Sequence, residues 1–175
     1  GGGFNVCMSC GAASVGRVTH AKYCSNKKSS HFNALGTAFM SDVLELEFDL
    51  RAGVSFDGSE WKSLLWALLA AASSILEIPE SEIGATLYFN VAGKASIMLF
   101  DDVPGGAGHA MQLSEDVPQL FDTAFKIVSE CLCDVNTCCY GCLCNYYNQG
   151  EQHELSRAGA LKILEELDNR YKLPL

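Results

Sequence analysis

Residues 131–144 read CLCDVNTCCYGCLC, which places six cysteines in fourteen positions. Three chemistries compete for such a cluster: a disulfide staple, a redox or nucleophilic thiol site, or a metal cage. Adjacent Cys138 and Cys139 are poorly placed to pair with each other. A nucleophilic site uses one thiolate beside a base and leaves the remaining thiols without a role. A cage explains the clustering. Zinc takes four tetrahedral ligands, and Cys131-x-Cys133 and Cys139-x-x-Cys142 supply two short-spaced pairs across a small loop, with Gly141 helping the second to turn. Cys138 and Cys144 are then spare, either as alternative ligands or as small buried residues.

Working outward, the chain ends in a helix expected from near Ser156, with Leu161, Leu164, Leu167 and Tyr171 at helical spacing. Upstream of the cysteines a helix is expected from near Pro118 to Cys131, with Leu120, Phe121, Ala124, Phe125 and Val128 facing the core. The strongest helix is SEWKSLLWALLAAASSILEI, residues 59–78, capped by Ser59 or Asp57 and ended by Pro79. It is apolar nearly all round, so it sits centrally or docks a partner. SDVLELEFDL alternates Leu44, Leu46 and Phe48 against Glu45, Glu47 and Asp49, the pattern of a strand with one wet face. Two apolar runs, 86–90 and 96–100, flank Gly93 as a hairpin. Residues 4–36 read as loop and turn. The order predicts an α+β domain: a small β-sheet, about three main helices and a C-terminal cysteine-rich zinc loop.

The N-terminal stretch carries a second cysteine pattern. Cys7-x-x-Cys10 with Gly11 forms a knuckle, Cys24 adds a third thiolate, and His20 is the chosen fourth ligand, with His31 as the alternative. This stretch has too few apolar side chains to offset its ordering entropy, a deficit that a metal makes good. Charge divides the chain at the same place. Residues 1–41 contain Arg17, Lys22, Lys27 and Lys28 and no acid, whereas 42–175 sum to −13 within a total of −9. Any nucleic-acid contact therefore falls on those four cations rather than on the acidic remainder. Two domains are expected: 1–36, knuckle-like, and 37–175. No apolar run is long enough to span a membrane, and the start lacks a signal-peptide pattern. Nine cysteines without secretory context point to thiols in a reducing cytoplasm.

The segment FDDVPGGAGHA, residues 100–110, admits three functional readings: an anion cradle, a partner grip, or a catalytic metal held by Asp101, Asp102 and His109. Against them stands a sharp strand-to-helix turn in which Gly105, Gly106 and Gly108 adopt left-handed backbone. No P-loop and no Asp-Glu box is present, so the chain is not expected to hydrolyse ATP by itself.

On LFDDVPGGAGHA, the cysteine loop and NYYNQ…HELSRAGA, the chain resembles the MrfA-type zinc-binding (MZB) domain. That domain lies at the C-terminus of certain superfamily 2 DNA helicases, and a related one occurs in the DISARM component DrmB. The resemblance covers roughly residues 35–170 and places the metal on Cys131, Cys133, Cys139 and Cys142. Three positions depart from the family's habits: Cys138, Cys144 and Ser156. The resemblance implies a non-catalytic zinc-binding module of a helicase-associated DNA repair or anti-phage defence complex, bearing one zinc; the N-terminal knuckle, outside the resemblance, offers a second by its own spacing. Its partner would be a helicase-like subunit or the rest of a longer chain, met through the apolar first helix and the glycine loop. The alternative is a metal-dependent nuclease or hydrolase built on Asp101, Asp102 and His109.

Overall fold

The computed structural model describes residues 3–36 and 38–171, with side chains to residue 168. They form two compact units, 1–39 and 40–175.

In the first unit three short antiparallel strands pair in the order β2-β1-β3: β1 Phe4–Cys7, β2 Ala13–Ser14 and β3 Ser30–Asn33. The expectation of loop and turn over 4–36 is thereby corrected. These strands are two to four residues long and β3 is exposed throughout, so no alternation of apolar and polar residues betrays them. The knuckle is the β1–β2 turn. Gly11 donates its N–H to the Cys7 carbonyl at 2.8 Å with φ 73°, a left-handed backbone natural to glycine. Among this unit's described residues only Cys7 and Val18 are buried apolar side chains. Two side chains are no hydrophobic core, so something else must hold the unit.

The second unit has such a core. Strands β4 Val43–Glu47, β5 Ile83–Phe89 and β6 Ala95–Asp101 form an antiparallel sheet in the order β4-β6-β5. The register sets Leu46 opposite Ile97 and Leu44 opposite Leu99, giving one apolar face. Helix α1, Gly58–Leu76, packs on that sheet and against α3, Val117–Glu130, and α4, Arg157–Tyr171. The α+β class holds, with two small sheets in place of one and four helices.

Asp57 rather than Ser59 caps α1: its carboxylate accepts from the N–H groups of Ser59 and Glu60, and Glu60 returns a bond to the Asp57 N–H at 2.7 Å. Glu77, at φ 53°, closes the other end ahead of Pro79. Leu64, Leu68, Ala67, Ala71 and Ala72 are sealed inside the unit, so α1 sits centrally, the first of the two expected placements, with Trp66, Ile75 and Leu76 half-buried at its margins. Of the residues assigned to the core face of α3, Leu120, Ala124 and Val128 are buried, but Phe125 is 40 % exposed. A short helix, α2, His109–Glu115, starts on the last two residues of the glycine-rich segment and runs on through sequence for which no element is expected. Asp116 separates it from α3, which it caps by accepting from Gln119 N–H at 3.0 Å.

Candidate metal centres

In the second unit Cys131 follows the end of α3, and the chain folds back so that Cys131, Cys133, Cys139 and Cys142 converge. Their sulfurs lie 3.6 Å apart for Cys131–Cys133, 3.5 Å for Cys131–Cys139, 3.8 Å for Cys133–Cys142 and 3.9 Å for Cys139–Cys142. A tetrahedron with metal–sulfur bonds of about 2.3 Å has edges of about 3.8 Å. The set therefore has the size of a zinc thiolate cage. Gly141 donates its N–H to Cys139 Sγ at 3.3 Å, the kind of donation that steadies a thiolate. Without a cation the four sulfurs conflict. A backbone hydrogen bond at Cys133 brings the Cys131 thiol down to about 7, while burial pushes Cys142 up to about 12 and raises Cys133. A dication at the centre would let all four ionise together.

The loop is held by more than its sulfurs. Arg157, only 7 % exposed, donates from Nε to Val128 O at 2.6 Å, from Nη2 to Ser129 O at 3.1 Å and from Nη1 to Cys133 O. It satisfies the last carbonyls of α3 and fixes the backbone between two cage cysteines. The first N–H groups of α4 dock on the same loop, Arg157 N to Thr137 O at 3.0 Å and Ala158 N to Val135 O at 2.8 Å. Downstream, Asn145 and Asn148 exchange bonds: Asn145 N–H donates to Asn148 Oδ1 at 2.9 Å and Asn148 N–H to Asn145 Oδ1 at 3.0 Å. Asn148 Nδ2 reaches Leu143 O and Gln152 Nε2 reaches Asn145 O. Sequence reading gave these residues no role: they lie in the polar run NYYNQGEQHE, residues 145–154, where a buried asparagine looks like any other.

Cys138 and Cys144 are joined as a disulfide, with Cα atoms 6.0 Å apart. This corrects the reading of both as spare ligands or inert thiols. The 139–142 turn closes through N–H bonds from Cys142 and Cys144 to Cys139 O, which brings the flanking positions together outside the cage.

In the first unit Cys7, Cys10, His20 and Cys24 converge likewise. Cys7 and Cys24 sulfurs are 3.7 Å apart, and His20 Nδ1 lies 3.5 Å from Cys24 Sγ and 4.0 Å from Cys10 Sγ. For bonds of about 2.3 Å to sulfur and 2.05 Å to nitrogen, the mixed edge is about 3.6 Å. Backbone hydrogen bonds from Ala12 and Ala21 bring Cys10 down to about 6. His31, the alternative fourth ligand, sits on β3 opposite Val6 and outside the group.

The glycine-rich loop is organised by a carboxylate. Asp101, fully buried, accepts from Ala107 N–H, from His109 N–H at 3.1 Å and from Ala110 N–H at 2.8 Å. Burial pushes its carboxyl up, but donation from Ala110, Ala107, His109 and Gly108 outweighs this and leaves it below the ordinary value. Thus the amides expected to cradle an outside anion already hold one from the chain itself. Gly105, Gly106 and Gly108 have φ of 93°, 75° and 85°, and a Cβ on Gly106 would stand 2.4 Å from Asp42 Oδ2. Asp102 is exposed, and His109 Nε2 faces Glu82 Oε2 at 3.4 Å. Among the described residues Asp101, Asp102 and His109 form no group of metal-binding size, so the hydrolase constellation is not assembled.

Residues 64–143 match the family model of the MrfA Zn-binding domain. The chain is 27 % identical over 195 residues to Druantia protein DruE of Escherichia coli (strain UMEA 4076-1), an alignment covering 93 % of this chain and 10 % of that protein. Two crystal structures of the DUF1998 helicase MrfA resemble it in fold. The structure bound to DNA has a TM-score of 0.54 at 17 % identity, and the structure bound to DNA and AMPPNP has 0.50 at 16 %. Each similarity covers 71 % of this chain, and 17 % and 15 % of the helicase chains. The chain thus spans a small part of the proteins it matches. Cys131, Cys133, Cys139 and Cys142 and the Gly-Gly-x-Gly turn all fall within the matched residues: the segment 64–143 carries the pattern of the MrfA Zn-binding (MZB) family.

Proposed function

We propose that this chain is a non-catalytic zinc-binding accessory module of a helicase-associated protein acting in DNA repair or anti-phage defence. The single observation behind this reading is the pair of ligand sets whose spacings suit tetrahedral zinc. Cys131, Cys133, Cys139 and Cys142 would hold one ion, and Cys7, Cys10, His20 and Cys24 a second. The chemistry of a filled four-ligand site is structural, since no position is left open for a substrate or a reactive water. The similarity to a helicase solved with DNA and to a Druantia protein supports the setting, with the rest of a longer chain or a helicase-like subunit as partner. Among the described residues no helix is long and apolar enough to cross a membrane.

Metal analysis of the purified chain tests this. Two zinc ions per chain are expected, falling to one in Cys131→Ser and remaining two in the double variant Cys138→Ser/Cys144→Ser. Less than one ion per chain, or nicking of DNA by the unsubstituted protein with Mg²⁺ or Mn²⁺, would sink the proposal.

A further inference from the structure

The first unit carries a groove of about 500 Å³ lined by Asn5, Arg17, His20, Lys27 and Ser30, together with Gly16 and Val18. We propose that this groove seats a segment of single-stranded nucleic acid. Arg17 and Lys27 are exposed, and no acid lies in residues 1–41 to neutralise them. Among the described residues neither forms an ion pair, whereas Arg51, Lys62, Lys94 and Lys162 in the second unit all do. With a zinc dication on three thiolates and a neutral imidazole the ligand set contributes −1, so the unit keeps a net positive charge. Two unpaired cations beside the hydrogen-bonding groups of Asn5 and Ser30 are what a sugar-phosphate strand requires.

Unpaired bases require a flat apolar surface, and the sheet supplies one. Phe32 lies directly opposite Asn5 in the β1–β3 register and two residues from Ser30, so all three share one face. It is 70 % exposed, and Tyr23, four residues from Lys27, is 80 % exposed. An exposed ring on the face that carries Asn5 and Ser30 of the groove fits a strand whose bases are free to stack. A duplex offers no such bases, and this unit's described residues include no helix to enter a major groove.

The inference rests on the zinc reading of the first unit, because His20 turns Nδ1 toward Cys10 and Cys24 while its ring forms the groove wall. Removing the metal should therefore remove the groove.

The test is fluorescence anisotropy of the zinc-loaded 175-residue chain with labelled oligothymidylate, oligouridylate and a DNA duplex, each over a salt series. Two to three phosphate contacts predict a log–log salt slope of about −2 on a single strand. Arg17→Ala/Lys27→Ala should weaken binding at least tenfold and flatten the slope by about 0.7 per lost contact. Phe32→Ala should weaken it by about tenfold with the slope unchanged. The equally charge-depleted Lys94→Ala/Lys126→Ala should bind like the parent. Preference for either single strand over the duplex supports the proposal, and the two strands distinguish DNA from RNA. Tighter duplex binding, no binding at low salt, or equal weakening in both double variants overturns it. Zinc is counted in the same samples: two ions without strand binding refutes this inference alone, whereas missing zinc refutes the reading beneath it.

Discussion

Arg157 and Asp101 are buried charges that hold backbone groups rather than each other. Arg157 carries the last turn of α3 and the Cys133 carbonyl on one guanidinium. Truncation to Ala would strand three carbonyls; a loss of about 3 kcal/mol is expected in urea unfolding, with zinc at the C-terminal cage held at least tenfold more weakly. Lys has one point donor in place of a fork, so Arg157→Lys should recover only part of either quantity. Asp101 works the other way, as an acceptor for amides of the glycine turn. Its folded-state value is depressed, so the unfolded chain takes up the proton first, near pH of about 3.9. The stabilisation is complete above that pH and is lost as pH falls through the lower folded-state value. Asp101→Asn puts an N–H₂ group among N–H donors, which should lower stability by about 2 kcal/mol at neutral pH. Acid unfolding should then show a shallower pH dependence in the variant than in the parent; identical curves would mean that Asp101 does not brace the turn.

At the scale of elements, α1 and α4 approach each other closely at Gly159. A Cβ there would stand 3.2 Å from Glu60 Cα and 3.3 Å from Ser63 Oγ. Ser63 is itself committed, donating to Ser59 O at 2.8 Å and accepting from Ser156 N–H at 3.1 Å. Gly159→Val should therefore push the helices apart and cost about 2 kcal/mol, read as a lower thermal midpoint. Because α4 also docks the cysteine loop through its first N–H groups, faster hydrogen exchange at Arg157 and Ala158 should accompany it. A variant as stable as the parent would show that the crossing is looser than drawn. The loop itself is the least local element: the end of α3, the start of α4 and the 143–152 turn all bond to it or close beside it, so its shape belongs to none of them alone.

For the whole molecule the two units rest on different forces. The second has a continuous apolar core of sheet and helices; the first has two buried apolar side chains among its described residues. Stripping metal with a strong chelator should consequently collapse the amide chemical-shift dispersion of residues 4–36 while most of the helical circular dichroism persists. Retention of that dispersion without metal would refute a metal-held first unit.

Composition and spacing by themselves determined the amphipathic strand at Leu44–Phe48, the central helix and the hairpin around Gly93, and they marked two candidate ligand sets while leaving His31, Cys138 and Cys144 open as alternatives, because these depend on neighbours within a few turns of chain. Tertiary structure alone decided the rest. Short strands with exposed faces leave no periodic trace, so the first sheet was invisible. Asp101 is one of two adjacent acids in sequence and becomes a brace only when the turn closes over it. Cys138 and Cys144 find each other because the cage folds the loop between them, and Phe125 lies 40 % exposed while Leu120, Ala124 and Val128 of the same helix are buried. In each case the deciding partner is remote in the chain or pointed away by a turn, and a one-dimensional pattern carries no record of that.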